Sequence, residues 1–455
     1  MSTVEIVSLP EPGLGNQSYL IATGDGGAVV IDPARDPSRY LEAARARGWR
    51  IRWTVETHLH ADFVSGSREL ATYGAKVALP AGSGVGFPAD ELDDGDERAV
   101  GGLTLEALAT PGHTPEHLTY LLRDGARVVA VFSGGTLTAG GMARPDLISP
   151  ELTEPLARAA WQSITERLLV LPDETPLYPT HGAGSFCSAG PPGEHTSTIG
   201  EQREHNPLLQ AGDEDAFVER LLSGLGSYPG YFLRLRPVNA AGPAVHGPQP
   251  TMPPRLTPDQ VRHHAADGAE LVDVRPMEAF AAGHVPGSLS NPLRDQFGVW
   301  LGWLVDLDRD IVLVTSGESG ELDRATRECL KVGHEHLTGH IPFPAWREAG
   351  RPERSLPLLD PASAAGSGRH VVDVRQTAEW TGGHVPGAVH IELAELAGNP
   401  GVVGGAPAVT QCGHGERAMT AASLLARAGH EDVAVLEGGP GDLATASGQS
   451  LEEER

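Results

Sequence analysis

The residues best suited to chemistry in the first part of the chain are two histidines and an aspartate, His58, His60 and Asp62. They follow an apolar run, residues 51–55, that is typical of a β-strand leading into a loop. Side chains alternate between the two faces of an extended backbone, so these three would point to the same side. Imidazole nitrogens and carboxylate oxygens are common ligands of divalent metals. The spacing therefore predicts half of a metal site at a strand end.

Two further histidines lie in glycine- and proline-rich loops that follow strand-like segments. His113 follows residues 103–108 and lies within Thr-Pro-Gly-His-Thr-Pro, and His181 precedes Gly-Ala-Gly-Ser. Because such loops join strand ends, we expect both imidazoles to approach the first group. The predicted metal site has five candidate ligands: His58, His60, Asp62, His113 and His181.

Another reactive segment, Cys412-Gly413-His414-Gly415-Glu416-Arg417, lies between an apolar run and a helix-forming run. The N–H groups of a glycine-bearing loop at a helix start favour negative charge, so they stabilise a thiolate over a thiol. The same groups would bind an anionic substrate, and Arg417 would add a positive charge. The pattern predicts a nucleophilic cysteine surrounded by substrate-binding loop residues, namely Gly413, His414, Gly415 and Glu416.

An internal repeat includes this loop. The Asp-Val-Arg and Gly-His-Val-Pro-Gly motifs at 273–275 and 283–287 recur 100 residues later, at 373–375 and 383–387. We expect the repeated aspartates to be structural, because a carboxylate in such a loop accepts backbone N–H groups. The first copy has a serine-bearing loop without cysteine after residues 311–315, so it is predicted to be non-catalytic.

The length and composition limit the classes of protein to consider. A chain of 455 residues is long enough for about three domains of ordinary size. Its 34 Lys and Arg against 60 Asp and Glu give a net charge of −26, which repels nucleic acids and anionic membranes. No apolar run is long enough to suggest a membrane span. Three scattered cysteines predict no disulfide framework and fit the cytoplasm; Cys187 and Cys329 are expected to be structural.

The N-terminal part resembles the metallo-β-lactamase fold. Within that fold it is similar to persulfide dioxygenases, which are mononuclear non-haem iron enzymes, in the bacterial form fused to rhodanese domains. The shared stretches are residues 16–20, 31–33, 57–66, 110–115, 144–147 and 181–187. The resemblance implies an αββα sandwich over residues 1–240, and a stretch rich in proline and glycine predicts a linker at 241–256. It also implies that His58, His113 and an aspartate hold Fe(II), leaving open positions for persulfide and O₂.

One residue departs from this family pattern. Gly135 stands where the family has the aspartate ligand, so the other candidate ligands would have to complete a site for Fe(II) or zinc. Phe63 replaces a histidine used by two-metal relatives, which argues against a dinuclear hydrolase. Restoring the carboxylate with Gly135→Asp is expected to raise iron occupancy. Arg144 is a candidate for binding a substrate carboxylate, and a surface ion pair is the alternative.

The repeat resembles the rhodanese fold, a small α/β domain with a parallel sheet. The two copies predict domains at residues 257–350 and 361–455. The loop that begins at Cys412 is similar to the rhodanese active-site loop, Cys-x-x-Gly-x-Arg. The resemblance implies that Cys412 accepts a sulfane sulfur as a persulfide. The whole chain is thus expected to be an α/β protein, with an αββα sandwich followed by two rhodanese-like domains.

Together the two resemblances imply an enzyme of reduced-sulfur metabolism. We expect it to oxidise a low-molecular-weight persulfide to sulfite at a mononuclear metal, and to transfer sulfane sulfur through Cys412. Three alternatives stay open: a sulfurtransferase with a degenerate metal domain, a zinc-dependent thioester hydrolase, and a binding or regulatory protein. The expected partners are a persulfide or thiosulfate and a thiol acceptor, without nucleic acid or membrane; a homo-oligomer is compatible with the sequence.

Overall fold

The computed structural model describes residues 4–182, 184–189 and 195–453. The chain forms two compact units, Met1–Thr251 with Leu330–Gly333, and Met252–Cys329 with His334–Arg455. Across the described ranges, no helix combines the length and the apolar character that crossing a membrane requires.

The first unit contains two six-stranded sheets. The strands of the first sheet are β1 (Ile6–Glu11), β2 (Asn16–Ala22), β3 (Gly27–Ile31), β4 (Arg50–Val55), β5 (Lys76–Pro80) and β6 (Asp90–Leu92). They lie side by side in chain order. The first three are antiparallel, and β3 to β6 are parallel.

The second sheet is mostly antiparallel. Its strands are β7 (Glu97–Val100), β8 (Leu103–Ala109), β9 (Leu118–Asp124), β10 (Arg127–Gly134), β12 (Pro176–Pro179) and β14 (Ser197–Thr198). They lie in the order β14-β12-β10-β9-β8-β7, and only β10 and β12 pair in parallel. A separate antiparallel pair is formed by β11 (Met142–Ala143) and β13 (Ser188–Ala189).

Among the described residues, five helices cover the outer faces of the two sheets: α1 (Ser38–Ala46), α2 (Ser67–Ala71), α3 (Pro150–Gln162), α4 (Ile199–His205) and α5 (Glu214–Ser223). A sixth, α6 (Phe232–Ala241), lies against the loop after β4, where Asn239 donates to the carbonyls of His60 and Phe63. Successive side chains of β2 point to opposite faces of the first sheet, and this explains how the layers pack. Tyr19 packs with Phe132 of the second sheet. The next residue, Leu20, packs with Tyr40 of α1. Behind the second sheet, Val131 packs with residues of α3 and α5. The predicted αββα sandwich is confirmed.

The second unit begins with a domain built on a parallel sheet. Its elements are α7 (Pro258–Ala266), β15 (Glu270–Asp273), α8 (Met277–Ala282), β16 (Leu289–Ser290), α9 (Phe297–Leu304), β17 (Ile311–Thr315), α10 (Glu321–Lys331), β18 (Leu337–Pro342) and α11 (Phe343–Glu348). The strand order is β16-β15-β17-β18, and every pairing is parallel.

The next domain repeats this plan. Its elements are β19 (Leu358–Leu359), α12 (Pro361–Gly366), β20 (His370–Asp373), α13 (Thr377–Thr381), β21 (Val389–His390), α14 (Leu393–Gly398), β22 (Ala408–Gln411), α15 (Glu416–Arg427), β23 (Val433–Leu436) and α16 (Pro440–Ala446). The parallel strands lie in the order β19-β23-β22-β20-β21. Two rhodanese-like α/β domains therefore follow the sandwich, as predicted.

The repeated sequence motif makes the same contacts in both domains. Arg275 donates to both carboxylate oxygens of Asp273, at 2.8 and 2.6 Å, and to the carbonyl of Gly283 at 2.9 Å. Arg375 does the same with Asp373, and it also donates to a glycine carbonyl eight residues on. Because the carboxylates close their own turns, these contacts agree with the structural role expected from the sequence.

Candidate functional site

The loop after β4 carries the first predicted ligands, and Asp32 supports it from the end of β3. Asp32 accepts hydrogen bonds from the backbone N–H and the hydroxyl of Thr57, both at 2.7 Å. Because β3 and β4 are parallel neighbours, their carboxyl ends meet at one edge of the sheet. β4 ends at Val55, so His58 to Asp62 lie beyond the strand in irregular, bent backbone rather than in the extended backbone that was expected. The candidate ligands are therefore carried by a loop.

Four of the predicted ligands, His58, His60, His113 and His181, form one buried cluster, and each is at most 1% exposed. The ring centroid of His58 lies 4.2, 4.7 and 5.3 Å from those of His60, His113 and His181, respectively. Burial lowers the pKa of both His113 and His181 to about 3. These two rings are therefore neutral near pH 7, which is the form that binds metal ions.

The ring nitrogens of this cluster fit a metal ion. The Nε2 atoms of His58 and His181 lie 3.3 Å apart. His113 donates from Nδ1 to the carbonyl of Arg144 at 2.6 Å, while its buried Nε2 has no hydrogen-bond partner among the described residues. A carbonyl on the far nitrogen orients a metal-binding imidazole, and an unpaired buried nitrogen is costly unless it binds something. These histidines could hold a divalent metal.

Asp62 and Cys187 lie beside the histidines. Asp62 accepts a hydrogen bond from Asn16 at 2.5 Å, but within the described part of the chain its Oδ1 has no partner. The Cys187 sulfur and one ring nitrogen each from His113 and His181 lie within 4.8 Å of one another. Burial, and then the nearby Asp62 charge, raise the pKa of the Cys187 thiol. The sequence favoured a structural role for Cys187, whereas its position also suits a metal ligand.

His60 is shared between the cluster and two carboxylates. Its Nε2 lies 3.0 Å from Glu56 and 3.3 Å from Asp32. Burial favours the neutral ring, but these carboxylates raise the pKa of His60 to about 10. The other nitrogen, Nδ1, is unpaired among the described residues, and His60, His58 and His181 can bring ligand atoms within 4.8 Å. His60 can therefore join a metal centre through Nδ1, after losing a proton.

Gly135, which stands in place of the family aspartate, lies against His113. A Cβ atom at this position would lie 2.7 Å from Cδ2 of His113 and 2.8 Å from Cβ of Ala143. At such distances a neighbour must move, so a carboxylate at residue 135 would displace a predicted ligand. The structure therefore argues against the expectation that Gly135→Asp raises iron occupancy.

His117 was not among the residues predicted from the sequence. It stacks on His58, with ring centroids 5.0 Å apart. Its Nε2 accepts a hydrogen bond from the backbone N–H of Gly135 at 2.9 Å, and its Nδ1 lies 3.0 Å from the hydroxyl of Thr136. Because both nitrogens are occupied, His117 positions the neighbouring ring and loop. The His-x-x-x-His spacing from His113 was the available signal.

Arg144 is buried, so the alternative of a surface ion pair is wrong, while its binding of a substrate carboxylate stays a prediction. Its guanidinium pairs with Asp146 at 2.7 and 2.8 Å and donates to the carbonyl of Gly226 at 2.8 Å. The ring of Tyr228 lies 4.5 Å away. An ion pair is present, but it is not at the surface. Since the Arg144 carbonyl also orients His113, the residue supports the candidate metal centre.

The second candidate site surrounds Cys412, between β22 and α15. Cys412 is 1% exposed, and its sulfur accepts a hydrogen bond from the N–H of Gly415 at 3.1 Å. Gly415 has φ of +104°, and a Cβ there would lie 2.7 Å from the sulfur of Met277, so glycine is required. α15 begins at the next residue, Glu416, and its N-terminal N–H groups face the loop. Among the predicted loop residues, Gly415 contacts the sulfur, Gly413 and Glu416 are partly buried, and His414 is exposed; their role in binding substrate stays a prediction.

The charge of Arg417 is balanced within its own domain. Its guanidinium donates two hydrogen bonds to the carboxylate of Glu379, at 2.6 and 2.8 Å. The ring of Trp300, from the first rhodanese-like domain, lies 5.5 Å from its guanidinium carbon. The positive charge that the sequence assigned to a substrate anion is therefore already paired.

The first rhodanese-like domain has a different loop at the equivalent place. Val314 and Gln411 occupy equivalent positions in the two sheets, because their carbonyls accept the N–H groups of the equivalent residues Val274 and Val374, both at 3.0 Å. Thr315 therefore corresponds to Cys412. Ser316, the first serine of the predicted cysteine-free loop, lies one position later.

The carboxylate of Glu321 occupies the amide groups of this first loop. It accepts from the N–H and the hydroxyl of Ser316, at 2.7 and 2.8 Å, and lies 3.3 Å from the N–H of Gly317. Groups that would attract a substrate anion are thus already satisfied. This supports the expectation that the first copy is non-catalytic.

Comparisons with known proteins identify the two kinds of domain that carry these sites. A family model described as the metallo-beta-lactamase superfamily matches residues 12–181, and one described as a rhodanese-like domain matches residues 257–341 and 360–441. A hydroxyacylglutathione hydrolase of Methylococcus capsulatus is 38% identical over 170 residues, covering 36% of this chain and 62% of that protein. The chain thus spans less than two thirds of that relative's length.

Two further relatives extend the comparison. The human mitochondrial persulfide dioxygenase ETHE1 is 31% identical over 210 residues, covering 45% of this chain and 76% of that protein. The crystal structure of a metallo-β-lactamase from Staphylococcus aureus subsp. aureus COL is 29% identical, with a TM-score of 0.68. It covers 75% of this chain and 100% of that chain. This chain therefore belongs to the metallo-β-lactamase superfamily, in a form that carries two rhodanese-like domains.

Proposed function

We propose that this protein is an enzyme of sulfane-sulfur metabolism with two reaction centres. Cys412 transfers sulfane sulfur, and the histidine cluster would hold a metal that supplies the O₂ chemistry for oxidising a low-molecular-weight persulfide to sulfite. The observation that carries the proposal is the Cys412 sulfur at the start of α15, where it accepts the Gly415 N–H in a domain matched by the rhodanese family. The similarity to a persulfide dioxygenase supports the second centre.

The transfer step needs only groups that the Cys412 loop supplies. The thiolate attacks the outer sulfur of thiosulfate, the sulfur–sulfur bond breaks, and sulfite leaves with the electron pair. The cysteine persulfide then carries one negative charge, which the Gly415 N–H and the start of α15 stabilise. A second thiolate attacks the outer sulfur, and Cys412 leaves as a thiolate. The acceptor becomes a persulfide, so sulfur and charge balance.

At the other centre, His58, His113 and His181 would hold the metal, with Asp62, Cys187 or His60 completing the set. Bound Fe(II) would supply the electron chemistry with O₂ that no side chain provides. The overall reaction converts a persulfide, O₂ and water into a thiol, sulfite and two protons. The sulfane sulfur gives up four electrons, and O₂ accepts them. The Arg144 carbonyl keeps His113 in the tautomer whose Nε2 can bind the metal.

A zinc-dependent thioester hydrolase is the second candidate for the N-terminal centre. Three imidazoles with no carboxylate at residue 135 are a common set for zinc, and one relative is a hydroxyacylglutathione hydrolase. Two measurements separate the candidates: metal analysis of purified protein, and O₂ uptake with glutathione persulfide. Zinc content with thioester turnover and no O₂ uptake would replace the dioxygenase by the hydrolase.

The transfer activity has a direct test. After incubation with thiosulfate, mass spectrometry should find one added sulfur on Cys412, and cyanide should remove it as thiocyanate. Cys412→Ser should abolish both, whereas Cys329→Ala, which alters a fully buried thiol, should retain them. Added sulfur on Cys187 instead would show that the wrong loop has been assigned.

The two centres should also separate by mutation. His113→Ala is expected to abolish O₂ uptake while the thiosulfate–cyanide reaction persists, because the ligand lies far in sequence from the cysteine loop. Cys412→Ser should have the opposite effect. O₂ uptake that survives His113→Ala would remove the histidine cluster from the reaction.

A further inference from the structure

A cavity of about 700 Å³ lies between the two rhodanese-like domains, beside the Cys412 loop. His414 and Glu416 of that loop contribute to its lining. The first domain contributes the rest, including residues 318–321 of its cysteine-free loop. The loop that lost its own cysteine therefore forms part of the wall of a cavity next to the remaining one.

The first domain also places charged and aromatic side chains on the catalytic loop. Trp300 of α9 lies against Arg417, with 5.5 Å between its ring centre and the guanidinium carbon. Arg294, which lines the cavity, has its Nη1 3.8 Å from a carboxylate oxygen of Glu416. These contacts show that residues of the cysteine-free domain complete the surroundings of the Cys412 loop.

Of the two guanidinium groups near the cysteine, that of Arg294 is less closely paired with a carboxylate than that of Arg417. Arg417 is paired with Glu379 at hydrogen-bonding distance, whereas the 3.8 Å approach of Arg294 to Glu416 exceeds that distance. The Nε of Arg294 is buried and has no hydrogen-bond partner within the described ranges. Burial also lowers the pKa of Arg294, which indicates a charge that a bound anion would stabilise. Arg324, the other arginine of the cavity, pairs with Asp295 at 3.3 Å, so an incoming anion meets Arg294 as the least paired cation.

The charged residues that line the cavity indicate which kind of ligand it can bind. Two arginines and four glutamates line it, a formal excess of two negative charges: Arg294, Arg324, Glu278, Glu318, Glu321 and Glu416. A small dianion such as thiosulfate would be repelled by this lining and would fill little of the volume. A larger molecule with separate carboxylate and ammonium groups can pair with both signs.

On the basis of the proposed sulfur transfer through Cys412, we propose that Arg294 determines specificity for a zwitterionic thiol. It binds the carboxylate of an amino-acid-like or peptide-like thiol that takes sulfane sulfur from Cys412. The acidic side chains of the same cavity face the ammonium group. The transfer is the second step described above: the carrier thiolate attacks the outer sulfur, and the cysteine thiolate leaves.

The test compares two acceptor thiols with the full-length protein. With thiosulfate as donor, kcat/KM is measured for glutathione and for uncharged 2-mercaptoethanol. Arg294→Gln should lower the ratio of the two values about tenfold or more, because it removes a charge-assisted hydrogen bond to the carboxylate. Arg294→Lys should recover part of the ratio. Arg262→Gln, an equal charge change on exposed α7, should leave the ratio unchanged.

A binding measurement separates this proposal from the proposed reaction. S-methylglutathione cannot accept sulfur, so its affinity reports the cavity alone, and Arg294→Gln should weaken it by a similar factor. If thiosulfate fails to load Cys412 but this weakening is seen, the transfer fails and the binding role of Arg294 stands. The proposal is overturned if Arg294→Gln leaves the affinity for S-methylglutathione unchanged and also leaves the ratio of the two kcat/KM values unchanged. An equal fall in kcat/KM for both thiols leaves that ratio unchanged and counts as the same result.

Discussion

The ring of His113 is confined on two sides. Its Nδ1 is bound to the carbonyl of Arg144 at 2.6 Å, and its Cδ2 faces the position that a Gly135 side chain would occupy. The absence of a side chain at residue 135 thus leaves room for the ring to sit where its Nε2 meets the other imidazoles. The position of the His113 ring therefore depends on glycine at residue 135, and restoring the family carboxylate there would displace the ring.

Gly135→Asp should therefore lower both metal content and stability. A new Cβ only 2.7 Å from the His113 ring forces a shift, and overpacking of this kind costs about 1–3 kcal/mol. Metal analysis and thermal unfolding measure the two effects. Gly102→Asp is the matched control, since no atom lies within 4 Å of a Cβ added there. Higher iron content in Gly135→Asp would show that the loop readjusts without penalty.

His334 is fully buried, and both of its ring nitrogens are unpaired in the described structure. Burial lowers its pKa to about 4, so the folded protein keeps it neutral while the unfolded chain is protonated below about pH 6.5. Stability is therefore lost as the pH falls from about 6.5 towards 4. His334→Met should increase the unfolding free energy by roughly 1–3 kcal/mol at pH 7.

The same substitution should reduce the acid-induced loss by up to about 1.4 kcal/mol per pH unit. Denaturant unfolding at pH 7 and pH 5 measures both effects. His370→Met changes an exposed histidine at the start of β20 and should alter neither. A stability difference between wild type and His334→Met that does not vary with pH would mean that His334 titrates normally in the folded protein.

At the scale of elements, local signals made most of the fold predictable. Apolar runs such as residues 51–55 predicted strands, and the internal repeat predicted two similar domains, for which the rhodanese resemblance implied a parallel sheet. Ligand types were also visible, because histidines followed strand-like runs. The pairing of Arg417 with Glu379 was not visible, since the partners are 38 positions apart and neither motif specifies the contact. The stacking of His117 on His58 likewise depends on how two strand ends meet.

The two rhodanese-like loops show how an element can lose reactivity while its strand and helix remain. In the first domain α10 begins seven positions after Val314, whereas α15 begins five positions after Gln411. The longer loop lets Glu321 turn back onto the Ser316 amide at 2.7 Å. The first loop therefore differs from the Cys412 loop in two ways: it lacks the cysteine, and its amide groups are occupied by the Glu321 carboxylate.

Thr315→Cys in a Cys412→Ser background should accordingly fail to restore a persulfide. Threonine and cysteine are similar in size, so the fold should tolerate the change, but the Glu321 carboxylate keeps the loop amides from stabilising a thiolate. Mass spectrometry after thiosulfate treatment should find no added sulfur at residue 315, with the wild-type protein as the positive control. A persulfide there would show that the cysteine alone limits this loop.

At the scale of the whole molecule, the acidity of the chain acts on its proposed substrates. The net charge of −26 surrounds centres whose proposed donors, thiosulfate and small persulfides, are themselves anions. A field of one sign lowers the encounter rate of substrates with the same sign, and salt screens it. The cavity beside Cys412 adds a local excess of glutamate to this field.

Raising the ionic strength should therefore increase kcat/KM for thiosulfate. The screening length falls from about 30 Å at 0.01 M salt to about 10 Å at 0.1 M, so repulsion from distant carboxylates is lost over this range. We expect a rise of about two- to tenfold, measured by thiocyanate formation at constant pH. The kcat/KM for the uncharged acceptor thiol 2-mercaptoethanol should change little with salt. This control separates screening from a general effect of salt on the enzyme. A fall in kcat/KM for thiosulfate with added salt would instead mean that local cations such as Arg294 and Arg417 outweigh the net charge at the entrance to the Cys412 loop.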